Sequence, residues 1–198
     1  ITVTDASQGI VMIDSRNNEW VWIEVPKTVC TTATKADETD KIKADLITYA
    51  STYREGKAGQ GATWTDEWYD GCGIADSGTY TTTYQKMLSS VYTNGGFWIG
   101  RYEAGITTNR TAKGDATVTP LSKAGTVENA VYPYTWVTCS QAQTLASQLS
   151  TGKSYTSSLM FGVQWDLVLA FTNNKGGVEN SILTIDSKNI GNYSNATF

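Results

Sequence analysis

At Asn94-Gly95-Gly96 the hydrophobic period of the chain changes from helical to extended, and this abrupt switch restricts the folds open to it. Upstream, Tyr84, Met87, Leu88, Val91 and Tyr92 fall on one face of a helix expected over 82–92. Downstream, Phe97-Trp-Ile-Gly-Arg-Tyr-Glu-Ala104 is aromatic and β-branched, as a strand requires. The glycines suit a left-handed helix end followed by a sharp change of direction. The same pairing of short strand and amphipathic helix recurs along the chain. Trp20-Val-Trp-Ile-Glu-Val25 is a strand closed by Pro26. The stretch 37–53 is helical, with Ile42, Leu46, Tyr49, Ala50 and Tyr53 on one stripe and Lys41, Lys43 and Asp45 elsewhere on the surface. A strand over 134–137 precedes a third helix, where Ser140 and Gln143 fit a capping box and Ala142, Leu145, Ala146 and Leu149 form the buried stripe. A fourth helical segment, 159–171, carries Gln164, Leu167, Val168 and Phe171 and stops at Asn173-Asn-Lys-Gly-Gly177. Strands this short, without a regular strand–helix–strand repeat, place the chain in the α+β class.

Two long polar stretches, 55–80 and 105–130, read as surface loops. Loops of that length on a rigid core are a common design for recognition. Residues 1–19 alternate only weakly and read as an entering segment or the tail of an upstream module, which leaves 20–198 as one domain. Charge narrows the partners. The net charge is −4, and the 15 Lys and Arg are scattered, whereas phosphate contacts need them clustered; nucleic acid is excluded as a partner. No apolar run approaches the ~20 residues of a membrane span, so no transmembrane segment is expected.

The chain contains no histidine, which removes Ser-His-Asp and Cys-His catalysis and histidine metal sites. Its three cysteines, Cys30, Cys72 and Cys139, lack zinc-site spacing. They read either as one disulfide with a free thiol or as three buried thiols. Asn109-Arg-Thr, Asn192-Tyr-Ser and Asn195-Ala-Thr are glycosylation-type triplets of a kind that an Asn- and Thr-rich chain yields by chance.

The best local candidate for binding is Trp64-Thr-Asp-Glu-Trp-Tyr-Asp70, in a glycine-bearing loop that continues to Asp76. Trp64, Trp68 and Tyr69 offer faces for stacking on a sugar or peptide, while Asp66 and Asp70 can take hydroxyl groups or calcium. No calcium motif is present, so no cofactor is expected. The competing reading has Trp64 and Trp68 plugging the loop onto the core, and the need of a long loop for anchors favours it. A glycosidase-like pair among Asp66, Glu67, Asp70 and Asp76 would need carboxylate separations of roughly 5 or 6.5–9.5 Å, which spacing along a loop does not specify. Arg101 and Glu103 share one side of their strand and read as a pair that fixes the sheet. Cys139, near a helix start where the dipole lowers a thiol pKa, is a candidate reactive thiol.

Three segments in order resemble the formylglycine-generating-enzyme (sulfatase-modifying factor) family. Asn94-Gly-Gly-Phe-Trp-Ile-Gly-Arg-Tyr-Glu103 is similar to its aromatic-x-Ile-x-Arg-Tyr-Glu strand. Tyr132-Pro-Tyr-Thr-Trp-Val-Thr-Cys-Ser-Gln-Ala142 is similar to its strand-to-helix join, with Cys139 standing where the family has Trp. Ser158-Leu-Met-Phe-Gly-Val-Gln-Trp-Asp166 is similar to its Arg-Leu-Pro-Thr-Glu-Ala-Glu-Trp-Glu helix start. Gly191-Asn-Tyr-Ser-Asn195 and the Glu24-Val-Pro-Lys27 end of the first strand resemble further stretches of Gram-positive members. The resemblance implies a C-type-lectin-like fold with long irregular loops, a core role for Trp165 and a structural one for Asp166, and, since Cys139 replaces a core Trp of the family, a buried inert thiol in preference to a reactive one. The family's catalytic C-terminal portion, with its active cysteines and calcium ligands, has no counterpart here.

The expectation is therefore a non-enzymatic recognition or adhesion module, extracellular, on a bacterial surface or a phage particle, taking a glycan or protein of a cell surface. A structural subunit of a pilin-like filament or virion, binding like subunits, is the alternative. A formylglycine-type oxidase is the third and weakest.

Overall fold

In the computed structural model, residues 9–54, 66–149 and 155–183 are described. Residues 1–8 of the entering segment, the helix-ending Gly56 and Gly59, and Gly191–Asn195 with its two triplets lie outside them, as does Trp64. The described chain is α+β. Strands β1 (Val11–Ile13) and β2 (Glu19–Glu24) form a hairpin, helices α1 (Thr39–Tyr49), α2 (Ser51–Arg54) and α3 (Ser77–Asn94) follow, and β3 (Gly96–Gly100) returns beside β2. The sheet order is β1-β2-β3, antiparallel throughout, with Trp22 opposite Trp98 and Val21 opposite both Val11 and Ile99. A separate pair, β4 (Gly105–Ile106) with β5 (Tyr132–Pro133), precedes α4 (Cys139–Ser147), α5 (Gly162–Asn174) and the short α6 (Asn180–Leu183).

The core lies between the sheet and α1, α3 and α5. Ile42, Leu46, Leu88, Val91, Val163 and Leu167 are almost wholly buried there. Each such side chain contributes roughly 1.5–3 kcal/mol through the water it no longer orders. Phe161 stands edge-on to both Tyr80 and Tyr84, with centroids 5.5 and 5.0 Å away, and fills the corner between α3 and α5.

The helix-to-strand switch is as tight as its glycines imply. Gly95 caps α3 at φ 74°, a left-handed conformation that costs glycine nothing. Gly96 is required by close approach: a Cβ there would stand 2.3 Å from the Ile23 carbonyl oxygen and 2.6 Å from the Trp22 ring. At the other end α3 starts earlier than its apolar stripe suggested, because Asp76 is its N-cap and accepts from the Thr79 amide at 2.9 Å.

Several local expectations are corrected. Asp45, expected on the surface, is buried beneath the 31–33 backbone. Its carboxylate accepts from the Thr32 and Ala33 amides at 3.0 Å and from the Thr31 and Thr32 hydroxyls at 3.1 and 3.0 Å. Burial pushes its pKa up, but these hydrogen bonds outweigh it and leave the carboxyl below its ordinary value. The helix it belongs to ends at Tyr49, which is half-exposed. Strand β3 ends at Gly100, so Arg101 leaves the strand and pairs with Glu19 of β2 at 2.6 Å, not with Glu103. Strand β5 lies at 132–133 instead of 134–137, and Trp136 takes a left-handed φ of 59° that ends pairing. The capping box of α4 is formed by Thr138 and Gln141, two residues before the expected pair, because Thr138 holds the extended conformation an N-cap needs. Helix α5 begins at Gly162, and Leu159 and Met160 remain outside it and partly exposed.

The 105–130 stretch is held down by polar knots. Ser122 is buried, and its amide donates to the Asn18 side chain at 2.9 Å. Its hydroxyl contacts the carbonyls of Glu19 and Tyr102 at 3.1 and 3.2 Å. Asn18 in turn belongs to the β1–β2 turn, where Asp14 accepts from Asn18 and from the Trp20 indole. Arg110 donates to the carbonyls of Gly114, Asp115 and Trp136 and lies 5.5 Å over the Tyr134 ring.

Candidate functional site

The loop 66–76, the first turns of α4 and α5 and residues 159–161 surround a cleft of about 470 Å³. Its position follows from two tight backbone contacts. Gly73 presses onto α4 so closely that a Cβ would meet Gln143 Cβ at 2.6 Å and Ser140 Cα at 2.9 Å. Asp66 reaches the start of α5, where its oxygens accept from the Gly162 amide at 2.7 Å, the Val163 amide at 3.2 Å and the Tyr84 hydroxyl at 3.0 Å. Phe161 precedes that helix and has no acceptor of its own, so a carboxylate distant in sequence supplies the N-cap.

The five residues singled out for binding thus divide. Asp66 is engaged as a helix cap inside the cleft. Trp68 is half-buried and donates its indole N–H to the Ile74 carbonyl at 3.0 Å, which closes its own loop. Tyr69 is 55% exposed on the cleft. Asp70 is exposed on the turn and does not line the cleft. Trp64 lies outside the described residues. Of the wider acidic set, Asp76 is committed to capping α3, and Glu67 lines the cleft from an exposed position.

Residues that sequence reasoning placed elsewhere complete the rim. Trp165, implied to be core, is 49% exposed and lines the cleft, whereas its neighbour Asp166 is buried. In the first two turns of α5 the buried positions are taken by Val163, Asp166 and Leu167, which turns Trp165 outward. Cys139, expected to be buried, is exposed, since it occupies the first position of α4 and faces the loop instead of the core. The Tyr69 hydroxyl donates to its sulfur at 3.0 Å, and this bond is the main cause of a tyrosine pKa above the ordinary value. Deeper in the same wall, burial and then the Asp66 carboxylate push Tyr80 up to about 12, so it stays protonated. The helical period around Trp165 was the available clue to its orientation.

The cleft wall is therefore largely apolar and aromatic, with one exposed carboxylate, Glu67, and two thiols, Cys72 and Cys139. Such a wall can stack on rings or sugar faces and accept a hydrogen bond. Among the described residues, no group of three or more Cys, Asp or Glu side chains is arranged to hold a metal ion. None of the described helices is long and apolar enough to cross a membrane. No protein-family model, no curated protein and no solved structure matches this chain.

Proposed function

We propose that the protein is a non-enzymatic recognition module, displayed outside the cell, that takes a surface ligand in the cleft between the 66–76 loop and α5. The observation that carries this is the exposure of Tyr69 and Trp165, at 55% and 49%, on the rim of one cleft. Large aromatic rings left in water beside a concavity are the usual anchors of a binding surface. Exposed rings beside the exposed Glu67 carboxylate suit a sugar face stacked on the rings with a hydroxyl held by the acid, and a glycan is the ligand class proposed. The commitment of Asp66 and Asp76 to helix caps supports a binding role over a carboxylate-pair hydrolase. The lectin-like scaffold of the formylglycine-generating-enzyme type belongs to the same proposal. It is supported by the α+β class and by the three ordered segments, which fall on β3, on β5 with α4, and on the start of α5.

Glycan arrays and host-cell pull-downs with folded protein test the function. Retention on a defined glycan class is expected; retention on a protein partner alone would move the ligand class. Blank results in both would overturn the recognition role. A filament subunit is the second reading, favoured by Ile13, 64% exposed on the edge strand β1. Ordered polymers that vanish in Ile13→Lys would select it.

A further inference from the structure

We infer that Cys72 and Cys139 are a redox pair, a built site for thiol–disulfide exchange that ties the 66–76 loop to α4. The two residues are 67 positions apart in sequence, yet the Cys139 thiol lies 3.6 Å from the Cys72 carbonyl oxygen. The backbones are held together independently of sulfur chemistry. Gly73, next to Cys72, fits against Ser140, next to Cys139, with so little space that a Cβ would come within 2.9 Å of the Ser140 Cα. That approach holds the 72–73 and 139–140 backbones in contact, the first condition for a bridge between their neighbouring cysteines. The third thiol is elsewhere: Cys30 packs against the main core, where burial, and then the Asp45 carboxylate, push its pKa up.

The exposures assign the order of events. Cys139 is exposed and Cys72 buried, so a small disulfide oxidant such as oxidised glutathione meets Cys139 first. The Cys139 thiolate attacks one sulfur of the oxidant, a mixed disulfide forms, and one thiolate leaves. The Cys72 thiolate then attacks the Cys139 sulfur, the protein disulfide forms, and the second thiolate leaves. The two thiol protons pass through solvent to the departing thiolates; two protein thiols are oxidised as one oxidant disulfide is reduced. Bridging turns the Cys139 sulfur toward Cys72 and away from Tyr69, whose hydroxyl now donates to it. Oxidation thereby frees that hydroxyl at the cleft. The inference stands without the recognition role, because its readouts are covalent.

The test treats the 198-residue chain with oxidised glutathione, alkylates the remaining thiols and digests the protein for mass spectrometry. A linked Cys72–Cys139 peptide, two hydrogens lighter than its parts, is expected, with Cys30 alkylated. The melting temperature rises by about 5–10 °C, as closure of a long loop implies. Cys72→Ser should stop at the mixed disulfide on Cys139. Should that variant fail to fold, Cys139→Ser, altered at an exposed position, must leave both Cys72 and Cys30 alkylated. Cys139 held as a stable mixed disulfide in the unaltered chain, with Cys72 alkylated, would overturn the inference. So would any bridge to Cys30.

Discussion

The two sides of this molecule are held together by different forces. On the sheet side, α1, α3 and α5 bury Ile42, Leu46, Leu88, Val91 and Leu167, and cohesion is spread over many apolar contacts. Elsewhere, the 66–76 loop of the cleft and the 105–130 stretch depend on a few polar bonds: Asp66 on the start of α5, Arg110 on three carbonyls, and the Ser122 amide on the Asn18 side chain. Distributed packing resists local change, whereas a polar knot concentrates the geometry of a whole loop in one or two bonds. The difference separates a stable scaffold from a surface whose shape a few residues set.

The comparison is sharpest for the largest effect. Leu46→Ala should cost about 2–5 kcal/mol in denaturant unfolding, because it leaves a cavity under α1. A cost below that of every cleft-side substitution would reverse the assignment of scaffold and surface. Asp45 comes next, as a polar knot built into helix α1 of the scaffold. Asp45→Ala leaves the Thr32 and Ala33 amides without an acceptor and should cost about 2–4 kcal/mol.

The sign of its pH dependence follows from a folded-state pKa below the unfolded value. Its contribution is fully present above about pH 4, near the ordinary aspartate value, and fades as pH falls through the lower folded-state value. Asp14 acts in the same direction, with burial opposing and the Asn18 and Trp20 hydrogen bonds outweighing it. Asp45→Asn should therefore flatten the acid limb of a stability–pH curve and leave its shape near neutrality unchanged.

Smaller effects belong to the loops held by polar bonds. Asn18→Ala removes the acceptor of the Ser122 amide and Ser122→Ala removes the hydroxyl bonds to the Glu19 and Tyr102 carbonyls, and each should cost about 1–2 kcal/mol. Amide exchange should quicken along 105–131 while the core helices stay protected. Quickening spread evenly over α1 and α3 would show that the knot belongs to the scaffold after all.

The scaffold was legible in the sequence to the extent that its residues interact with near neighbours. The stripe Ile42–Leu46–Ala50, the Tyr84–Leu88–Val91 face and the Gly95-Gly96 switch are patterns of local spacing, and they locate α1, α3 and β3. Where long-range partners decide, local spacing misleads. Asp45 sits on an apparently polar face of its helix, and only the approach of residues 31–33 buries it. Asp66 looked like a loop acid, and only the arrival of α5 makes it a cap. Trp165 was assigned to the core through a family resemblance, yet the phase of α5, set by Val163 and Leu167, points it outward. Tyr69 was singled out as an aromatic in a glycine-bearing loop and lies on the cleft; its neighbours there, Leu159 and Met160, were hidden inside a stretch that looked helical.

The central claim is that the cleft rim recognises a ligand while the scaffold only presents it. The direct measurement compares ligand retention by the Tyr69→Ala/Trp165→Ala double variant with that by Trp98→Ala, a change on the outer face of the sheet beside Trp22. The account predicts that the double variant loses retention at least tenfold, a difference of about 1.4 kcal/mol, with its melting temperature within about 2 °C of the unaltered chain. Trp98→Ala should retain the ligand. Full retention by a well-folded double variant, with loss in Trp98→Ala, would contradict the account and move the recognition surface to the sheet.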